Sequence, residues 1–276
     1  MAEPLSVGGV VGWLEEQFPP ESAESWDAVG WVSGDPSRPA RRILLAVDPT
    51  AEVAEEAVDF GADLLVVHHP LFLKPVHGFA QTTPKGRTVD TLQRAGCALY
   101  TAHTNADRAS GGVSDALAHA LGLSQVRPLV PAAPGSGAGM GRIGVVAECS
   151  LEEWVGRVAR ALPVTAGAIR YAGDPAAVVR TVAVTGGAGD FLLDAVVDSE
   201  ADVYVTSDLR HHPALEFREK RGQALLDVPH WAAEWTWLPV LAAQLRSRLA
   251  DTVVVQVSER VTDPWTGHAI QMEEDH

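Results

Sequence analysis

The stretch 41-RRILLAVDPTAEVAEEAVDFGADLLVVHHP-70 decides the fold. "RRILLAV" (41 to 47) and "DLLVV" (63 to 67) are unbroken apolar runs of strand length, and "TAEVAEEAVDFG" (50 to 61) between them has helical spacing and closes on a glycine. A fully apolar strand alternating with a helix implies a parallel β-α-β unit, covered on both faces of its sheet. The order continues outward. "RTVDTLQRAG" (87 to 96) reads as a helix and "CALYTA" (97 to 102) as a third strand. Farther on, "GRIGVVAE" reads as a strand and "SLEEWVGRVARAL" as a helix opened by a capping box of Ser150 and Glu153. "RTVAVTGGAGD" is a strand running into a glycine-rich turn, and the segments at 191 to 208 and 222 to 245 repeat the alternation.

Residues 124 to 141, "SQVRPLVPAAPGSGAGMG", interrupt this pattern with Pro, Gly and Ser and are expected to be a linker. The chain then divides into an N-terminal α/β lobe (1 to 123) and a C-terminal α/β lobe (142 to 276), or forms one intimately packed domain. The halves echo each other: "EEAVDFGADLLVVHHP" (55 to 70) aligns with "DAVVDSEADVYVTSDL" (194 to 209). If the chain is duplicated, polar residues past corresponding strands meet in one cleft at the strands' C-terminal ends.

Composition narrows the chemistry. With 46% hydrophobic and 21% charged residues and no apolar run near bilayer length, a soluble, cytoplasmic chain is expected, with no membrane partner. A formal charge of −15 disfavours nonspecific nucleic-acid binding, which depends on Lys and Arg neutralising phosphates. Only Cys97 and Cys149 occur, too few for a disulfide framework or a cysteine zinc site, so any metal must use His and carboxylates.

Each polar cluster of interest lies just past an expected strand. His68 and His69 follow "LLVV", His103 and Asp107 follow "ALYTA", Asp208, His211 and His212 follow "VYVT", and His230 and Glu234 follow "ALLDV". His103 with Asp107, and His230 with Glu234, stand four apart, so on a helix each pair shares a face and can meet one ion. The adjacent histidines differ: successive extended residues point to opposite sides, which suits one imidazole for each of two metals. Burying such a doublet without partners costs roughly 1 to 3 kcal/mol per imidazole, which makes a purely structural pair expensive. His211 and His212 are expected to cap a helix beginning near Pro213, with a cleft role in place of direct ligation. "TGGAGD" (185 to 190) fits a tight turn beside the cleft, and Trp231, Trp235 and Trp237 fit helix packing.

"SWDAVGW", "GADLLVVHHPLF", "TAHTNADRASGGVSDALAHALGL", "GRIGVV", "ADVYVTSDLRHH" and "LLDVPHWAAE" occur in the order of a known family. From about Trp26 to Pro264 the chain resembles the hexameric proteins with a dinuclear metal centre, commonly labelled GTP cyclohydrolase 1 type 2 homologs. The resemblance implies two related α/β lobes with the site between them, in the short form without an inserted domain. It implies two divalent ions per chain (Zn, Fe, Mn, Ni or Co), with His68, His69, Asp107, His230 and Glu234 as metal ligands and His103 in or beside the inner shell. Asp208 and His212 fall in the cleft, and with His103 they are the candidate catalytic residues. Two positions depart from the family pattern. Pro229 and Trp231 flank the last histidine where glycine and an aromatic, usually tyrosine, are usual, and Ser207 makes "TSD" of the usual "TGD". The expected protein is therefore a homohexameric, metal-dependent hydrolase acting on an anionic nucleotide or other phosphate. The alternative is a non-catalytic metal-binding scaffold, regulatory adaptor or metallochaperone.

Overall fold

The structure, a computed structural model, describes residues 5–221, 223–249 and 253–269. The N-terminal half runs α1 (Val7–Gln17), β1 (Gly30–Ser33), β2 (Arg42–Ala46), α2 (Ala51–Phe60), β3 (Leu64–Val67), α3 (Pro84–Ala95), β4 (Ala98–Thr101), α4 (Thr104–Arg108) and α5 (Val113–Ala120). Then follow β5 (Ser124–Pro131), β6 (Gly139–Ser150), α6 (Leu151–Ala161), β7 (Arg170–Ala172), β8 (Val178–Ala188), α7 (Leu193–Val197), β9 (Val203–Ser207), α8 (His211–Arg221), β10 (Ala224–Asp227), α9 (His230–Trp235), α10 (Trp237–Leu249) and β11 (Val254–Val257). The helices read from sequence have the capping that their termini demand: Thr50 and Gly61 bracket α2, and Ser150 and Glu153 form the capping box of α6.

The strands form two sheets, ordered β1-β4-β3-β2-β11 and β5-β6-β8-β9-β10-β7. The duplication echo is visible in detail. β2, β3 and β4 pair in parallel, as do β8, β9 and β10, and an antiparallel strand closes each trio, β1 on β4 and β7 on β10. The aligned aspartates do the same work: Asp63 Oδ2 accepts the amides of Arg41 and Arg42, and Asp202 Oδ2 accepts those of Arg180 and Thr181.

Alternation along the buried strands sorts the core into layers. Leu44, Ala46, Leu65, Val67 and Leu99 pack under α2 and α3, and Ala183, Tyr204 and Leu225 pack under α7 and α8. The opposite faces of the two sheets, carrying Ile43, Leu45, Val66 and Tyr100 on one and Val182, Val184, Val205 and Leu226 on the other, share one core with α1, α5, α9 and α10. The two lobes thus meet through a common helical layer.

Residues 124 to 141 are not a linker. They form β5, the turn after it and the start of β6, paired antiparallel in the second sheet. Their prolines are tolerated because β5 is an edge strand, where a missing amide donor faces away from the ladder. The boundary at residue 142 also fails for the chain's end, because β11 returns to pair in parallel with β2 of the first sheet. Cys97 and Cys149 are free and buried. Among the described residues no helix is long and apolar enough to cross a membrane.

Candidate metal centre

The parallel strands of both sheets deliver their following residues to one place. His68 and His69 come just after β3, His103 caps α4 with Asp107 within it, and His230 and Glu234 stand one helical turn apart in α9. Glu234 lies at the middle. Its Oε1 is 2.8 Å from His230 Nε2 and 3.3 Å from His68 Nε2, and its Oε2 is 2.9 Å from His69 Nε2. Asp107 Oδ1 is 3.6 Å from His68 Nε2. The ring centres of His68 and His103 are 5.1 Å apart, and those of His69 and His230 are 5.2 Å apart.

Every imidazole is held from behind through Nδ1. His68 donates to the carbonyl of Ala102 (2.9 Å), His69 to Asp48 (2.7 Å), His103 to Asp27 (2.8 Å) and His230 to Asp208 (2.7 Å). Fixing the proton on Nδ1 leaves the Nε2 lone pair facing inward, the tautomer that a metal ligand needs. Four buried inner atoms, His68 Nε2, His230 Nε2, Asp107 Oδ1 and Glu234 Oε2, make no hydrogen bond among the described residues, although several lie at contact distance from one another. Atoms aimed at a common point without hydrogen-bond geometry fit a cation between them. Two overlapping groups, His68 with His69 and His103, and His69 with His230 and Glu234, each place ligand atoms within 4.8 Å of one another.

The cluster's electrostatics are those of a charged, enclosed site. Burial works against the ionisation of Glu234, yet His230, His69 and His68 hold its carboxyl well below the usual range. Burial likewise opposes protonation of His69 and His230, but Glu234, joined by Asp48 and Asp208 respectively, raises them to about 10 and about 11. Burial raises Asp107 to about 7, with His103 pulling down and Glu234 pushing further up. Burial also disfavours the charged form of Asp27, but hydrogen bonds from His103 and Thr104 win and keep it ionised.

Gly187 makes room for the cluster. Its φ is +67°, and a Cβ there would lie 2.4 Å from Glu234 Oε1 and 3.1 Å from His230 Nε2. The "TGGAGD" segment is not a tight turn: Thr185 to Ala188 are the last residues of β8, with the register shifted between Val184 and Ala188, and they serve as the wall against which the α9 ligands rest.

One geometric expectation is overturned. His68 and His69 do not point to opposite sides: β3 ends at Val67, the chain bends, and the amides of both histidines bond back to the Val47 carbonyl. The strand rule lapses there, both rings enter the same cluster with centres 5.0 Å apart, and His69 joins both ligand groups. His212 is exposed and belongs to neither ligand group. It lies in the first turn of α8, which begins at His211 and so includes both histidines of the doublet (ring centres 5.2 Å apart). Asp208, in a left-handed conformation (φ 56°), contacts the centre through His230.

Asp48 and Asp27 were not singled out from sequence. Asp48 stands just past an apolar strand, where every other cluster was found, and Asp27 lies inside "SWDAVGW"; each becomes meaningful only when its histidine partner is brought to it, 21 and 76 residues away.

Fold and site together define a two-lobed α/β protein whose lobes close on a cluster of histidines and carboxylates able to hold divalent metal. The chain belongs to the Duf34/NIF3 (NGG1p interacting factor 3) family, whose model matches residues 5–264. It is 51% identical to a Streptomyces coelicolor GTP cyclohydrolase 1 type 2 homolog over 94% of this chain and 93% of the relative. A Mycobacterium leprae protein with the same description is 34% identical over 93% of this chain and 94% of its own. That alignment spans 363 residues against the 276 here, so the relative has residues with no counterpart in this shorter form. A Staphylococcus aureus hypothetical protein of known structure superposes with a TM-score of 0.87 at 25% identity, covering 96% of this chain and 99% of the other.

Proposed function

We propose that the chain binds two divalent ions per protomer and acts as a metal-dependent hydrolase on a nucleotide or another phosphate-bearing substrate. One observation carries this reading: histidine Nε2 atoms converge on Glu234 while every Nδ1 is anchored behind. His68, His69, Asp107, His230 and Glu234 would hold the ions, with Glu234 at the middle of the cluster. Divalent ions at such a site supply Lewis-acid polarisation and lower the pKa of water. Zn, Fe, Mn, Ni and Co all suit imidazole and carboxylate donors. A net positive centre in an acidic chain favours anionic substrates.

The protein's own groups supply the proton chemistry. Ionised Asp27 accepts from His103 Nδ1, the Thr104 amide and the Thr104 hydroxyl, which leaves His103 Nε2 as a base facing the cleft. Asp208 and Asp48 act as positioning residues for His230 and His69. His212 has no part in this scheme. We further infer a cytoplasmic homohexamer, for which light scattering is the check.

The test is elemental analysis of protein purified without chelator, followed by turnover assays. GTP ring opening comes first, on the strength of the relatives' names, then phosphomonoester and phosphodiester hydrolysis. Two ions per chain are expected, with turnover abolished in Glu234→Gln and in a His103→Ala protein that keeps its metal. A stoichiometry that never exceeds one under metal-replete conditions refutes the dinuclear assignment. The ligands come from both lobes, so bound metal would also pin the lobes together. If no substrate turns over with any of the five metals while chelation lowers the melting temperature, the scaffold, adaptor or metallochaperone reading replaces the hydrolase.

A further inference from the structure

A cavity of about 420 Å³ opens directly beside the centre, with His103, Asp107, His230 and Glu234 in its inner wall. That volume lies within the ~300 to 1,000 Å³ of small-molecule sites. Its other lining residues include the Arg108–Glu24 ion pair (2.8 Å), aromatic side chains and a buried hydroxyl. Toward solvent stand Trp26 and Phe191, 58% and 59% exposed, with Met140 also in the wall. Deep inside is Ser114, in the first turn of α5 and fully buried.

Four polar atoms lining this cavity are buried without a hydrogen bond among the described residues. Asp107 Oδ1, His230 Nε2 and Glu234 Oε2 belong to the metal cluster. The fourth, Ser114 Oγ, does not. The other two lining hydroxyls are already engaged: Thr104 donates to Asp27, and Thr185 accepts from Tyr204 at 3.0 Å. A fully buried hydroxyl with no partner is costly, and one facing a cavity recovers that cost when a bound molecule supplies the partner. At the mouth, two aromatic side chains remain largely in water. Flat apolar faces left open at the rim of a cavity match a ligand with a flat apolar face of its own. The glycines of the wall do not serve the ligand, because Gly186 and Gly187 are required by Val113 and by Glu234.

We infer that this cavity binds a planar heteroaromatic ring, received at the mouth by Trp26 and Phe191, with a polar group of the ligand bonded to the Ser114 hydroxyl. The inference deepens the hydrolase reading by naming the substrate's recognised part, and it rests on that reading only for the identity of the cavity as the substrate site. Trp26, Phe191 and Ser114 ligate no metal, so ring binding is separable from metal loading.

The experiment is calorimetric titration of the full chain, metal-replete and chelator-treated, with three probes: guanosine, guanosine 5′-monophosphate and ribose 5-phosphate. Both guanine probes should bind, guanosine with undiminished affinity after chelation, and ribose 5-phosphate should bind at least tenfold more weakly than the monophosphate. Phe191→Ala and Trp26→Ala should each weaken guanosine by roughly tenfold, as for loss of a stacking face, and Trp26→Phe should restore most of the Trp26 loss. Ser114→Ala should weaken it by roughly three- to tenfold, as for loss of one hydrogen bond, with metal content unchanged. Ribose 5-phosphate binding as tightly as the monophosphate, or guanosine affinity indifferent to Trp26→Ala and Phe191→Ala, overturns the proposal. Failure of the dinuclear reading appears separately, as a metal stoichiometry below two.

Discussion

His69 and His230 carry protons in the metal-free protein to unusually high pH, raised from an ordinary 6.5 to about 10 and about 11 by Glu234 and their anchoring aspartates, against the opposing effect of burial. The stability those protonated rings lend is fully present below pH 6.5 and is lost as the pH rises through 10 to 11. A cation competes for the same nitrogens, so metal affinity should climb with pH across that interval, and loading at pH 8 should release protons from both rings. At pH 6, Asp107, raised to about 7 chiefly by burial, should add its own proton to the release. Metal titration in weakly buffered solution with a pH indicator measures this, and loading without proton release would contradict the assigned ligands. The anchors matter at the same scale. Asp48→Ala should lower metal affinity by roughly 10- to 100-fold through a loosened His69, whereas His211→Ala should leave it unchanged; competition with a chromophoric chelator compares them.

Two local devices tie elements to the centre. Gly187, next to last in β8, lies against α9, and Gly187→Ala should both strain a left-handed backbone, by about 1 to 2 kcal/mol, and press on Glu234. Reduced metal content together with a lower Tm is expected, and a variant that keeps both would show that the wall yields. Arg142 of β6 is 1% exposed, bonds Asp115 of α5 through both carboxylate oxygens, and donates to the carbonyls of Ala109, Gly139 and Gly141. It clamps the segment just after Asp107. Removing one partner of such a buried pair costs about 3 to 5 kcal/mol, so thermal unfolding of Arg142→Met should show a large fall in Tm. Legibility in sequence differs between these devices. The helix α6 was readable because its capping box is local. The clamp was not, since Arg142 and Asp115 are 27 residues apart, although the strand that carries Arg142 was itself legible in "GRIGVVAE".

Across the molecule, the ligands of the centre come from the bend after β3 and from α4 of one lobe and from α9 of the other, with the shared helical core behind them. Metal bound only by the folded form stabilises it by mass action, about 4 kcal/mol at a thousandfold excess over Kd. Chelation should therefore lower the melting temperature while the common core keeps unfolding cooperative, which calorimetry can follow. Two separate transitions would mean that the lobes are held together by the metal alone. β11 extends this coupling, since Ser258 just beyond it donates to Glu56 of α2 at 2.7 Å and Thr262 donates to Asp48 behind His69.

The sequence by itself determined the parallel β-α-β units, the duplicated Ala-Asp turns and the polar residues past each strand, because apolar periodicity, caps and strand ends are properties of a few neighbouring residues. It also placed His68, His69, His103, Asp107, His230 and Glu234 at positions that the fold brings together. Only the tertiary structure decided that both members of the first doublet face one cluster, that Asp27 and Asp48 anchor imidazoles, and that the last strand returns to the first sheet. Each of these depends on a bend at a strand end or on a pairing across tens to hundreds of residues, which local pattern does not encode.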